Sequence, residues 1–261
     1  MKRLLFLGLF FIPFCGIDAQ YLQLNYAGDP LPDKDKVWIE RFLAYEIDFY
    51  SQFGLSDTTH LQLTIFDKRQ DALDYLGDLK VPLFSLQTSG MYLPKRKEAV
   101  VLGREKWREK SSKIVINGLT YHLNRQTIKQ LPGWLNVGLA EYFEHCELGK
   151  KGLKHSLGNY ELGRIRTMYM LGEIDLKSFI NNAQGDFRKK LHNDENYAYV
   201  LSHALVTFCL EIVEKDFMKN LLSSLNKKDG NRVSYQERIN SIYPGGFGQF
   251  EQDFSDFCNR D

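Results

Sequence analysis

Glu141 and His145 stand one helical turn apart in the stretch "AEYFEH", and His122 and His203 lie elsewhere in the chain. Imidazole and carboxylate groups ligate divalent transition metals at neutral pH, so His122, Glu141 and His145 make one conceivable metal set, with His203 as a further donor. A Glu four residues before a His on a helix is equally an ordinary surface pair. Ser202 and His203 are adjacent, so on a helix their side chains diverge by about 100° and cannot work together as nucleophile and base. "YPGGFG" near residue 245 lacks the strand and helix that flank a nucleotide loop and reads as a turn. Four other positions, Asn117, Gly118, Tyr121 and Val137, carry residue types poor at metal chemistry yet fall where a pair of helices would bring them together.

Those helices follow from local pattern. One runs from Ser111 or Ser112 to Gln126 and sets Asn117 and Tyr121 a turn apart on one face. The next begins after "LPG", where Pro132 suits a helix N-terminus, and sets Val137 and Glu141 a turn apart. Upstream, "YLQLNY" (21–26), "HLQLTIF" (60–66) and "AVVLG" (99–103) read as strands. A helix capped by Asp33 or Asp35 carries Trp38, Phe42, Tyr45 and Phe49 as an apolar stripe and stops at Gly54, and "KRQDALDYLGDL" forms a shorter helix. "SGMY" turns the chain into the third strand. Beyond residue 111 the strand signals disappear. The pattern predicts an α+β fold, a small mixed sheet with flanking helices followed by a mainly helical half.

On this framework "LPGWLNVGLAEYFE" resembles the "PxWLxEGLAEY" segment of secreted gluzincin-like zinc metallopeptidases of the MA clan. The segments "LQLTIF", "SGMYLPKRKEAVVLG" and "NYAYVLSHALVTFCLE" resemble, in the same order, landmarks flanking that family's site, so the likeness covers most of the chain. The resemblance implies a zincin-like domain over residues 20–261, with an α/β part over about 20–110 and a helical part over about 111–261. It also places the family's third zinc ligand at Val137. Its His-Glu-x-x-His motif falls on Asn117, Gly118, Leu119, Thr120 and Tyr121. Tyr197, Tyr199 and His203 would line or support the old cleft.

The departures decide the expected chemistry. Asn117 offers an amide in place of imidazole, Gly118 has no carboxylate to deprotonate water, Tyr121 is a phenol, and Val137 has no donor atom. Catalytic zinc needs three protein ligands and an open position, and the aligned residues supply no good ligand. The sequence therefore predicts a catalytically inactive pseudopeptidase without zinc, binding a peptide or protein through the vestigial cleft by strand addition beside "AVVLG". Glu141 would accept a hydrogen bond from Asn117, where the family uses that carboxylate to orient a zinc-bound His. Two alternatives stay open, a hydrolase using a relocated or non-standard site, with His122, Glu141 and His145 as its metal set, and a structural envelope protein. The plainest reading, two packed helices with no ancestral site, is opposed by Gly118, since glycine inside a helix costs roughly 1 kcal/mol relative to alanine.

Residues 1–19 read as a secretory signal peptide, with Lys2 and Arg3 before the apolar run Leu4 to Phe14. This implies a secreted or periplasmic protein. Lipidation at Cys15 is disfavoured by the bulky Phe14 before it. Beyond the leader, no apolar run approaches the roughly 20 residues that span a bilayer. Cys146, Cys209 and Cys258 allow at most one disulfide, and Cys146 with Cys258 is the pair to consider. The net charge of +1 argues against a polyanion partner. In the basic stretch Lys95 to Lys113, glutamates interleave with the cations, which suits an ion-paired surface better than a nucleic-acid patch.

Overall fold

The computed structural model describes residues 22–55, 60–81, 90–105, 111–128, 131–150, 152–182, 197–214, 216–226 and 233–259. Residues 1–19, read from sequence as a signal peptide, and with them Cys15, lie outside the described residues. The chain is α+β, with a four-stranded mixed sheet at the N-terminal end and helices dominating the rest.

Strand β1 (Leu22–Ala27) leads through helix α1 (Asp33–Ser51) to β2 (Leu61–Phe66), and the two strands pair in parallel with Leu24 beside Leu63. Helix α2 (Arg69–Asp78) follows, then β3 (Gly90–Leu93) and β4 (Glu98–Leu102). The strand order is β1-β2-β4-β3, with β4 parallel to β2 and antiparallel to β3. The expected turn at "SGMY" is thus, from Gly90 on, a strand in its own right. The reversal lies between Leu93 and Glu98, where Lys97 takes a positive φ of 51°.

Both faces of the inner strands are covered, which explains why β4 reads as an unbroken apolar run. Leu63, Ile65, Ala99 and Val101 join the main core. Phe66, Val100 and Leu102 turn the other way and meet Ala72 and Leu76 of α2. The expected aromatic stripe of α1 is rotated in the fold. Its buried residues are Ile39, Phe42, Leu43, Glu46 and Tyr50, while Tyr45 is 42% exposed. A stripe drawn through apolar types alone missed Glu46, because burying a carboxyl is tolerated once it is neutral and hydrogen-bonded.

Helices α3 (Ser111–Thr127) and α4 (Gly133–Glu144) match their expected positions, with Pro132 at the N-cap of α4. They are tied by Asn124, which accepts a 2.5 Å hydrogen bond from Tyr50 and donates to the Asn136 carbonyl at 3.1 Å. The expectation of no strands after residue 111 fails at one place. A hairpin, β5 (Cys146–Gly149) and β6 (Gly152–His155), follows α4 directly. Its strands are only four residues long, and Gly152 turns the chain at φ 130°, so the segment carries almost no alternating pattern to detect.

Helices α5 (Asn159–Met170), α6 (Leu176–Asn181) and α7 (Tyr197–Thr207) come next. Helix α7 runs into a π-helical turn, Phe208–Ile212. Helices α8 (Asp216–Asn226), α9 (Tyr235–Ile242) and α10 (Gly246–Cys258) close the chain. "YPGGFG" is a turn, as expected, with Gly245 and Gly246 both at positive φ. An aromatic knot anchors this end, with Phe208 within 5.7 Å of the Phe250, Phe254 and Phe257 rings.

Cys146, Cys209 and Cys258 are three separate buried thiols, so the considered Cys146 to Cys258 bridge is absent. In the basic stretch, Arg96 pairs with Glu98 at 2.8 Å and Arg104 with Asp67 at 2.5 Å, consistent with an ion-paired surface. Among the described residues no single helix is long and apolar enough to cross a membrane.

Candidate functional site

Helix α3 lies under the sheet and against α4, so the four positions singled out in the sequence do share one region. Gly118 faces the sheet. A Cβ there would meet Leu63 Cδ1 at 3.4 Å and Ala99 Cβ at 3.8 Å, ordinary contact distances. Val137 is 4% exposed and belongs to the apolar core. Asn117, 7% exposed, donates its amide to Glu144 Oε2 at 2.7 Å. The expected bond from Asn117 to Glu141 is thus taken chiefly by Glu144, three residues further along α4. The amide still lies near enough to Glu141 to favour that group's ionised form.

This favourable contact is outweighed. Although Glu141 keeps some surface in solvent, burial pushes its carboxyl well above the usual range, with Glu144 and then Glu161 adding repulsion. Burial, together with the neighbouring Tyr199, Glu141 and Glu144, also raises the Tyr121 phenol far above its ordinary value. Tyr199 is pushed up to about 12, by burial first and by Glu141 and Glu144 next. Asn117, Tyr121, Glu141, Glu144 and Tyr199 therefore form one seam of hydrogen-bonding groups with no imidazole among them. The residues at the family's zinc positions do not fit the metal. One is an apolar side chain, one has no side chain, one amide is already engaged, and the phenol resists deprotonation.

His122 belongs elsewhere. One position beyond Tyr121, it turns about 100° around α3 toward β3. There its Nε2 lies 2.7 Å from the Lys97 carbonyl and its ring packs edge-on against Tyr92. Burial lowers its pKa to about 4, so it is a neutral core histidine. The conceivable set of His122, Glu141 and His145 is therefore not assembled. Only Glu141 and His145 are neighbours, and their contact runs from the imidazole Nδ1 to the Glu141 backbone carbonyl, 2.8 Å.

His145 instead meets two residues from other elements. It caps the C-terminus of α4, Glu161 lies in the first turn of α5, and His203 lies on α7. One donor atom from each falls within 4.8 Å of the other two. The His145 and His203 rings are 4.5 Å apart at their centroids. His203 Nδ1 sits 3.5 Å from Glu161 Oε1. Glu161 is oriented from behind, its Oε2 accepting a 3.1 Å bond from the Gly158 N–H. On its other side His203 Nε2 lies 2.8 Å from His155 Nε2, at the end of β6. His155 Nδ1 in turn lies 2.8 Å from Glu211 Oε1, at an angle too oblique for a good hydrogen bond. Tyr142 stacks on the His155 ring at 4.2 Å and donates to Glu211 Oε1 at 3.1 Å.

Burial holds His203 below the usual histidine range, against the raising pull of Glu161. Burial also opposes ionisation of Glu161, yet the contacts with His203 and with the Gly158 N–H prevail and keep its carboxyl below the usual range. The result is an ionised carboxylate facing a neutral imidazole.

Of the cleft residues expected from sequence, Tyr199 and His203 do reach this region. Tyr197 packs edge-on against Phe179 at 5.7 Å and borders a shallow hollow beside α5 with Tyr160, Arg164 and Met168. Sequence reasoning missed Glu144, His155, Glu161 and Glu211. Glu161 had a faint signal, an acidic residue three positions after a glycine that begins a helix. Comparison with known protein families, with curated proteins and with solved structures finds no match to this chain.

Proposed function

We propose that this chain is a secreted, zincin-like protein without peptidase chemistry, which binds an extended polypeptide segment along the outer edge of its sheet. The observation that carries the reading is the seam between α3 and α4. Where a gluzincin-like peptidase would place its zinc and its base stand a core valine, a glycine packed on the sheet and an amide bonded to Glu144. These contacts favour a seam that keeps two helices together over one that polarises a carbonyl.

The binding half needs one revision. β4 cannot take a peptide strand, because β2 and β3 already pair with it on both sides. Among the described strands β3 is the edge on that side. Its antiparallel pairing with β4 and its position over α3 suit strand addition, in which main-chain hydrogen bonds supply affinity. A hydrolase using a displaced metal is the second reading. Its support is that the cluster of His145, Glu161 and His203 lies close to Glu141, whose carboxyl burial pushes well above the usual range, the direction that favours a proton donor.

Both halves can be tested on the intact protein. Incubation with a library of extended peptides should give no cleavage, with or without added zinc. Amide hydrogen exchange should show protection of Gly90–Leu93 by any binder. Cleavage abolished by a chelator would overturn the non-catalytic half, and binders that leave those amides unprotected would overturn strand addition.

A further inference from the structure

The geometry points to a divalent-metal site formed by His145, Glu161 and His203, with zinc the ion best suited to its donors. The inference goes beyond the reading of a lost peptidase site, because none of the three residues occupies a position the family resemblance assigns to the metal.

The first argument is a buried nitrogen without a partner. Glu161, His203, His155 and Glu211 meet in that order through three contacts, of 3.5, 2.8 and 2.8 Å. His203 Nε2 is taken up by the contact with His155, and its Nδ1 faces Glu161 Oε1 across the widest of the three. His203 is 1% exposed, and its Nδ1 has no hydrogen-bond partner. An unpaired buried nitrogen aimed at a carboxylate is costly unless something positive sits between them.

The second argument is the surrounding geometry. Bonds of about 2.0–2.1 Å to a tetrahedral zinc put neighbouring donors roughly 3.3 Å apart. The His203 to Glu161 separation of 3.5 Å is close to that edge, and the 4.8 Å limit on the third donor needs only a small rotation of the part-exposed His145. Each donor is also held from behind in the way metal ligands usually are. His145 Nδ1 donates to the Glu141 carbonyl, which leaves Nε2 for the metal. His203 Nε2 is directed at His155, which leaves Nδ1. Glu161 Oε2 is fixed by the Gly158 N–H, which leaves Oε1. Two imidazoles and one carboxylate suit zinc better than calcium or magnesium, which prefer all-oxygen shells. His145 and Glu161 are only half-buried, so the ion has a way in and a fourth coordination position reachable by solvent.

The test uses the protein without a histidine tag, stripped with chelator and titrated with zinc by calorimetry. Cobalt(II) loading followed by visible spectroscopy reports the coordination geometry. The expected result is one equivalent of zinc, a raised Tm and the intense visible bands of four-coordinate cobalt. Glu161→Gln and His145→Ala, at half-buried positions, should each weaken binding by at least tenfold, while His60→Ala leaves it unchanged. Zinc binding that neither Glu161→Gln nor His145→Ala alters would overturn the proposal. So would a folded protein that takes up no zinc at micromolar concentration. Zinc uptake together with chelator-sensitive peptide cleavage would uphold this site while overturning the non-catalytic reading.

Discussion

Two polar centres lie along α4, and they are built on opposite principles. In the seam with α3, Asn117, Tyr121, Glu141, Glu144 and Tyr199 meet as amide, phenols and carboxyls, with Asn117 already bonded to Glu144 and the flanking Val137 and Gly118 packed into the core. Past the last turn of α4, His145, His155, His203, Glu161 and Glu211 meet as imidazoles and carboxylates, with the Nδ1 atoms of His155 and His203 buried without a hydrogen-bond partner. The first centre has donor capacity on the Asn117 amide and no metal ligand of quality. The second has ligands of quality and, in His203 Nδ1, a buried ligand atom left unpaired. An amide bonded across two helices ties them together, whereas an unpaired imidazole nitrogen beside a carboxylate suits a cation.

The glycines of the two helices give the sharpest way to break this contrast. Gly138 is where α4 and α7 nearly touch, and a Cβ there would lie 2.4 Å from the Ser202 carbonyl and 2.5 Å from Val206 Cγ2. Gly138→Ala should destabilise the fold by about 3 kcal/mol in urea unfolding, and it should weaken zinc uptake, because it forces His203 away from His145.

A pH series probes the buried face of α3. Glu46 is fully buried on α1 against Thr120, and burial raises its pKa to about 8 despite the Thr120 hydrogen bond. The Thr120 hydroxyl has one proton and also lies 2.9 Å from the Ile116 carbonyl, which suits a neutral Glu46 that donates to the hydroxyl. The folded pKa lies above the unfolded value, so above about pH 4.5 the unfolded chain releases a proton that the folded chain keeps. Stability from this group is therefore full below that pH and is lost as pH rises to about 8, at up to about 1.4 kcal/mol per unit. Denaturation from pH 5 to 8 should show this decline, and Glu46→Gln should remove it.

A smaller effect sharpens the account of the seam. Asn117→Leu keeps the volume but removes the donor to Glu144, leaving that carboxyl without its amide partner. A loss of roughly 1 to 2 kcal/mol in urea unfolding is expected. Zinc binding at His145, Glu161 and His203 should be unaffected. The smallest effect has the opposite sign. At Gly118 a methyl group meets only ordinary contacts, so Gly118→Ala should raise stability by up to about 1 kcal/mol through helix propensity. If Gly118→Ala is as damaging as Gly138→Ala, the packing account of both helices is wrong.

Much of the scaffold was legible because its signals are local. Alternation in "LQLTIF", the apolar "AVVL", the Pro132 cap and the helical spacing about Trp134 and Leu139 each act within a few residues, and β2, β4, α3 and α4 fall where they indicate. The β5 and β6 hairpin left too little pattern to read. His122 and His145 looked alike in sequence, yet one is a core histidine on the Lys97 carbonyl and the other a half-exposed helix cap. Which face a histidine presents, and what packs on that face, is not a local property.

The sequence by itself determined β1, β2, β4 and the first four helices, and determined that Asn117, Gly118, Tyr121 and Val137 carry poor chemistry for zinc, since residue type fixes donor capacity wherever the chain goes. Only the tertiary structure decided that a helix cap, a hairpin end, a first helical turn, the middle of α7 and a π turn bring His145, His155, Glu161, His203 and Glu211 together. The physical reason is that each donor comes from a different element. Their meeting depends on how closely α4 and α7 approach at Gly138 and on where the π turn aims Glu211. Those are facts of packing between distant segments, which no short stretch of sequence contains.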